Sequence, residues 1–186
     1  MSEGLEYLGT AFGLIYLLLA ICEQRICWIA GASASVIFFF VFLNSGLAAQ
    51  AVLQVYYVAI AVHGWMVWGT VDDKTPVSKL PKRNHASLIA LWALVSVGTV
   101  SVAGQLSNTV VWFDSLTSWG GVVATWLVAR KFLGAWIYWV VIDTASALLY
   151  LSQDLKATAV LYGVYTALAA VAWYKWRQSS ANSKAS

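Results

Sequence analysis

Residues 133–151 read Leu133-Gly-Ala-Trp136-Ile-Tyr-Trp139-Val-Val-Ile-Asp143-Thr-Ala-Ser146-Ala-Leu-Leu-Tyr150-Leu151. The run is near the length that crosses a bilayer as a helix, and its single charge lies close to its centre. Helical spacing puts Trp136, Trp139, Asp143, Ser146 and Tyr150 on one face, while Val, Ile, Ala and Leu cover most of the rest. A carboxylate at that depth costs roughly 3 kcal/mol on insertion scales, so it faces a partner or a cavity. Asp143 is either an acid hydrogen-bonded to a neighbouring helix or part of a ligand site. Two tryptophans on the same face favour the ligand site.

The rest of the chain has the same character. Of 186 residues, 61% are hydrophobic and only 10% charged, which excludes an ordinary soluble domain and implies an all-α polytopic membrane protein in the lipid bilayer. The net charge of +3 marks no nucleic-acid partner, because the basic residues lie in loops between apolar runs. The acidic start, Met-Ser-Glu-Gly-Leu-Glu, leads directly into a span and lacks the basic region of a cleavable signal. Cys22 and Cys27 form neither a CxxC nor a ligand cluster and read as small apolar packers, so no metal or cofactor is expected. There is no HExxH, GxSxG, intramembrane Ser/His pair or phosphate loop, and an enzyme is not expected.

Seven apolar runs of near-spanning length can be marked, at 6–22, 26–43, 47–69, 86–102, 112–128, 133–151 and 157–176. Pro76 and Pro81 both fall in the long third loop. The Ser/Ala/Asn-rich segment after Arg177 is expected to be disordered. In a seven-span topology Arg25, Lys74, Lys79, Lys82, Arg83, Arg130, Lys131, Lys175, Arg177 and Lys184 share one side, and only Lys156 takes the other. That asymmetry places the N-terminus outside and the C-terminus in the cytoplasm.

An internal repeat organises these runs. A shift of 108 residues lays Glu6 on Asp114, Gly13 on Gly121, Trp28 on Trp136, Tyr57 on Tyr165, Trp65 on Trp173 and Trp68 on Trp176, without gaps. The unit is three helices, repeated after one extra helix, which restores direction and makes the repeats parallel. The expected organisation is a first three-helix repeat at 1–70, a cytoplasmic loop and linker helix at 71–103, a second repeat at 104–177, and the tail at 178–186. Parallel repeats of this kind are a transporter architecture, with the substrate at the midplane between them.

Polar and aromatic stripes suggest what lines the path. The third span carries Gln50, Gln54, Tyr57, Ala61, Gly64 and Trp68 at helical spacing, and the seventh carries Thr158, Tyr162, Tyr165, Ala169 and Trp176. Gln54 and Tyr57 are deep, and their polar groups need either another helix or a ligand. Trp68, Trp173 and Trp176 read as an interfacial aromatic belt. Glu6 and Asp114 read as helix caps, with an outer-gate role as the alternative. Gly9-x-x-x-Gly13 and Gly120-Gly121 permit close helix approach, and His63 reads as a packed, hydrogen-bonded histidine.

These residues resemble a known family, the PnuC-type vitamin transporters, over nearly the whole chain. The resemblance rests on Leu53-Gln54-Val55-Tyr56-Tyr57 with Gly64-Trp65-x-x-Trp68, on Phe113-Asp114-Ser115-Leu116-Thr117 with Val128-Ala129-Arg130-Lys131, and most specifically on Trp136-x-x-Trp139-x-x-x-Asp143. It implies seven transmembrane helices as two parallel three-helix repeats joined by a fourth helix, the SWEET-like 3+1+3 arrangement, in a homotrimer of the bacterial inner membrane. It also implies facilitated diffusion of a small vitamin or precursor, made one-way by a cytoplasmic substrate kinase. Trp136, Trp139, Asp143, Gln54, Tyr57 and Tyr165 are the expected substrate contacts. The acidic residue at Asp143 resembles the thiamine branch, where the nicotinamide riboside branch has asparagine, so thiamine is the favoured substrate and nicotinamide riboside the alternative. A sugar facilitator of SWEET type and a non-transporting membrane scaffold are the rival readings.

Overall fold

The computed structural model describes residues 2–69, 75–104 and 106–182. Within them the chain forms seven α-helices: α1 (Ser2–Ile21), α2 (Cys27–Asn44), α3 (Ala48–Val67), α4 (Lys82–Val102), α5 (Thr109–Ala129), α6 (Ala135–Ser152) and α7 (Lys156–Asn182). Helix is the form a lone segment can take in hydrocarbon, since it satisfies its own N–H and C=O groups. Among the described residues, five of them, α1, α2, α3, α4 and α6, are long and apolar enough to cross a membrane. The sequence reading marked α5 and α7 as spans too. The run 157–174 of α7 carries no charge and has the length of a span, with Lys156, Lys175 and Arg177 at its ends, while α5 carries Asp114 among serines, threonines and glycines.

Two ends differ from expectation. Helix α7 runs beyond Arg177 to Asn182 and buries Ser180, so residues 178–182 are helical where the composition marked a disordered tail. Residues 183–186 of that tail lie outside the described residues. Helix α5 is capped by Asn108, whose Oδ1 accepts the N–H groups of Val110 (3.0 Å) and Val111 (3.3 Å). Asp114 lies more than a turn further in, and Glu6 likewise lies inside α1, so neither caps a helix; both are exposed.

The 108-residue offset recurs in the backbone. Shifting α2 (Cys27–Asn44) by it gives the bounds of α6 (Ala135–Ser152). Four helix ends close by the same long backbone bond past a left-handed residue: Glu23 (φ 54°) and Lys131 (φ 52°) after α1 and α5, Gly46 (φ 74°) and Asp154 (φ 60°) after α2 and α6. Gln24 N–H donates to Leu19 C=O and Phe132 N–H to Leu127 C=O, each at 2.9 Å. Leu47 N–H donates to Phe42 C=O (2.8 Å) and Leu155 N–H to Tyr150 C=O (2.9 Å). These are Schellman closures, which return the chain after few residues.

The chain divides into two compact units. The first holds α1, α2 and α3, with residues 129–131 and the segment from Gln178 onward. There α2 packs on both α1 and α3. Gly9 takes the ring of Phe38, and Gly64 takes the indole of Trp28, which leaves no room for a Cβ. Gly13, expected to share this role, has open space around it. The second unit holds α4 to Arg177 of α7. Trp92 of α4 and Ile142 of α6 both press on Gly120 of α5, and Trp92 Nε1 donates to Leu116 C=O at 2.9 Å. The expected linker helix α4 thus packs with α5.

Lys131 is the buried cation of the first unit. It is 1% exposed, pairs with Glu23 at 3.0 Å, donates to Thr75 C=O at 2.9 Å, and holds its ammonium 5.0 Å from the centre of the Trp68 ring. The sequence places it with Arg130 in the loop after α5, and it lies there. Only Arg130 is exposed. An ammonium tolerates burial when a carboxylate and further acceptors take up its donors.

Candidate functional site

Asp143 is the ninth residue of α6, about 12 Å from the helix start at 1.5 Å per residue. The face read from the sequence is the inward face: Trp136, Asp143 and Ser146 are 2%, 5% and 3% exposed, while Trp139 and Tyr150 are half-buried. Among the described residues no basic side chain pairs with Asp143, whereas buried Lys131 has its carboxylate. The surroundings of Asp143 in the second unit are aromatic. Tyr162 and Tyr165 of α7 are its electrostatic neighbours. The Tyr162 ring lies 5.2 Å from Tyr150 and 5.8 Å from Tyr165. Trp139, Asp143, Tyr150, Tyr162 and Tyr165 therefore give the second unit an acid among aromatic rings, suited to a flat cation.

Trp136 has a different place from the one its spacing suggests. Its ring meets Trp176 of α7 edge to face, with centroids 5.3 Å apart at 84°, and Trp176 is fully buried. The first unit builds the same pair at the equivalent positions, Trp28 against Trp68 at 5.4 Å and 87°. Both Trp28 Nε1 and Trp136 Nε1 are buried without a hydrogen-bond partner. Trp68 and Trp176 are thus core residues and not an interfacial belt. Trp173 remains half-buried beneath Arg177, whose guanidinium carbon is 5.1 Å from the ring centre.

Gln54 and Tyr57 belong to the first unit. Gln54 is 9% exposed on α3, and Tyr57 is half-buried with its ring 5.4 Å from Tyr56. His63, expected to be hydrogen-bonded, leaves its Nε2 buried and unpartnered.

The two units differ where the acid is. The equivalent of Asp143 is Ser35, also buried, so the charge exists in one repeat only. The equivalent of Trp139 is Gly31, whose space is filled by Tyr16 of α1, 2.9 Å from where a Cβ would stand. The equivalent of Tyr16 is Ala124, fully buried in α5. Aromatic bulk that α1 supplies in the first unit is thus supplied by α6 in the second, on the face that carries Asp143.

Comparison with known proteins decides the family. The family model described as nicotinamide mononucleotide transporter matches residues 3–178. The chain belongs to that family. It is a membrane transporter of the PnuC type. Similar relatives of this PnuC-type chain include the riboflavin/roseoflavin transporter RibM of Streptomyces davaonensis, 26% identical over 88% of this chain and 79% of that protein. They also include the nicotinamide riboside transporter PnuC of Escherichia coli, 24% identical over 95% of this chain and 86% of that protein. The crystal structure of the vitamin B3 transporter PnuC shares the fold, with a TM-score of 0.74, 14% identity, and coverage of 97% of this chain and 83% of that one.

Proposed function

We propose that this PnuC-type transporter carries a small, flat, permanently cationic vitamin across the membrane by facilitated diffusion with alternating access. The observation that carries the reading is Asp143, a carboxylate at mid-helix, 5% exposed, with no basic partner among the described residues and with tyrosines as neighbours. A cation entering beside it regains the charge balance that burial removes. Trp139, half-buried on the same face, is the ring available for stacking. Trp136 supports it from the core of the second unit.

Nicotinamide riboside is the first candidate. Its pyridinium is a permanent cation, and the Escherichia coli relative is named for it. Riboflavin, in the name of the Streptomyces relative, is uncharged and would leave Asp143 without a countercharge. The sequence reading preferred thiamine. The relatives above do not support that preference, and it rests only on the acidic side chain at Asp143 together with the thiazolium charge. The same reading takes all seven helices as spans in the 3+1+3 arrangement, with the N-terminus outside. It includes a homotrimer and a cytoplasmic kinase that traps the substrate.

The test is calorimetry on the purified protein with nicotinamide riboside, thiamine, riboflavin and a hexose side by side. Saturable binding of one or both cations, without riboflavin or hexose, is expected. Binding of riboflavin or hexose with neither cation would overturn the reading.

A further inference from the structure

A cavity of about 380 Å³ lies in the second unit and is lined by His85, Ile89 and Trp92 of α4 and by Gly134, Ile137, Tyr138 and Val141 on the α6 side. It is almost wholly apolar along its length. From Gly134 to Val141 it follows two turns of α6, about 10 Å at the helical rise. Ile89, Ile137 and Val141 are about half exposed there, so the groove opens outward from the bundle. None of the residues around Asp143 lines it.

One end of the groove is polar and cationic. His85 Nδ1 lies 3.0 Å from Tyr138 Oη, and the two rings stack at 5.8 Å and 15°. Gly134 makes room for this, because a Cβ there would stand 2.8 Å from His85 Cε1. In the first turn of α4, at the same end, stand Lys82 and Arg83, with Lys79 just before; all three are exposed and form no ion pair among the described residues. Helix α4 begins at Pro81 without a side-chain cap and has no acid in its first turn. Two cations therefore sit at a helix N-terminus, where the peptide dipole disfavours them and an anion is favoured.

We propose that this groove binds an anionic phospholipid of the surrounding bilayer, with an acyl chain along Ile89, Ile137 and Val141 and the headgroup phosphate on Lys82 and Arg83. An apolar channel of this length ending in unpaired cations is complementary to an amphiphile with a negative head. A zwitterionic lipid would fill the channel, but its own ammonium would offset its phosphate and leave the net charge of the rim unchanged. A second copy of this chain would bring the same cationic rim with it.

The experiment is native mass spectrometry of the full chain in detergent, titrated with phosphatidylglycerol or phosphatidylethanolamine of matched acyl chains. Phosphatidylglycerol should bind more tightly, and Lys82→Gln with Arg83→Gln should weaken it roughly 25-fold, about fivefold for each cation lost at a lipid phosphate, while phosphatidylethanolamine, whose phosphate is offset by its own ammonium, should weaken clearly less. Ile137→Trp, which fills the groove without touching the cations, should weaken both lipids. Equal affinity for the two lipids, or unchanged phosphatidylglycerol binding in the double variant, would overturn the proposal. So would disulfide cross-linking between copies through Ile137→Cys in native membranes, which would show a second chain in the groove.

Discussion

Glu23 and Lys131 stand 108 positions apart, both in left-handed backbone, and meet in an ion pair of 3.0 Å. Each follows the end of a helix, Glu23 after α1 and Lys131 after α5, and both belong to the first unit. Within that unit Lys131 is buried and Glu23 is partly exposed.

Removing the ammonium should be costly. Lys131→Ala leaves Glu23 and the Thr75 carbonyl without their donor, and a loss of about 3 kcal/mol is expected, the low end for a broken buried pair because Glu23 is 16% exposed. The charge swap Glu23→Lys with Lys131→Glu should recover only part of it, since a carboxylate at 131 would face the Thr75 carbonyl. Thermal unfolding in detergent, run on both variants, checks the order.

The tryptophan pairs separate core from belt. Trp68→Ala and Trp176→Ala should each lower stability by about 3–5 kcal/mol, as for a large core side chain. Trp173→Ala, half-buried, should cost clearly less. Equal small losses at all three positions would return Trp68 and Trp176 to the belt.

Asp154 offers a gain. It holds φ 60° where its repeat equivalent is Gly46, and its pair with Lys156 is exposed on both sides, at 84% and 76%. Asp154→Gly should raise stability by about 0.5–1 kcal/mol, relief of a left-handed side chain outweighing a weak surface pair. A lower melting temperature would contradict this.

Much of the architecture was legible because hydropathy and the 108-residue offset report directly on helices and their ends. The face of α6 around Asp143 was legible for the same reason. Trp68 and Trp176 were misread because a tryptophan near a helix end has the same sequence signature in a belt as in a core; only the partner ring, on another helix, distinguishes them. The burial of Lys131 was not legible because its partner Glu23 lies 108 residues away. Asn108 could have been found: Ser-Asn-Thr before an apolar run is an N-cap signal, and it outranks an acid placed a turn further in. The exchange of Tyr16 and Gly31 for Ala124 and Trp139 becomes visible only when packing shows which helix supplies the ring.

The central claim is that Asp143 is the countercharge to a cationic vitamin, and calorimetry on Asp143→Asn tests it most directly. The substitution keeps size and hydrogen-bonding capacity while removing the charge, so a folded variant isolates the electrostatic part. Binding of nicotinamide riboside or thiamine, whichever the wild type takes, should weaken by at least tenfold, about 1.4 kcal/mol, the scale of one desolvated charge contact. An unchanged affinity for the cation in a folded Asp143→Asn variant would make the carboxylate a structural acid and contradict the account.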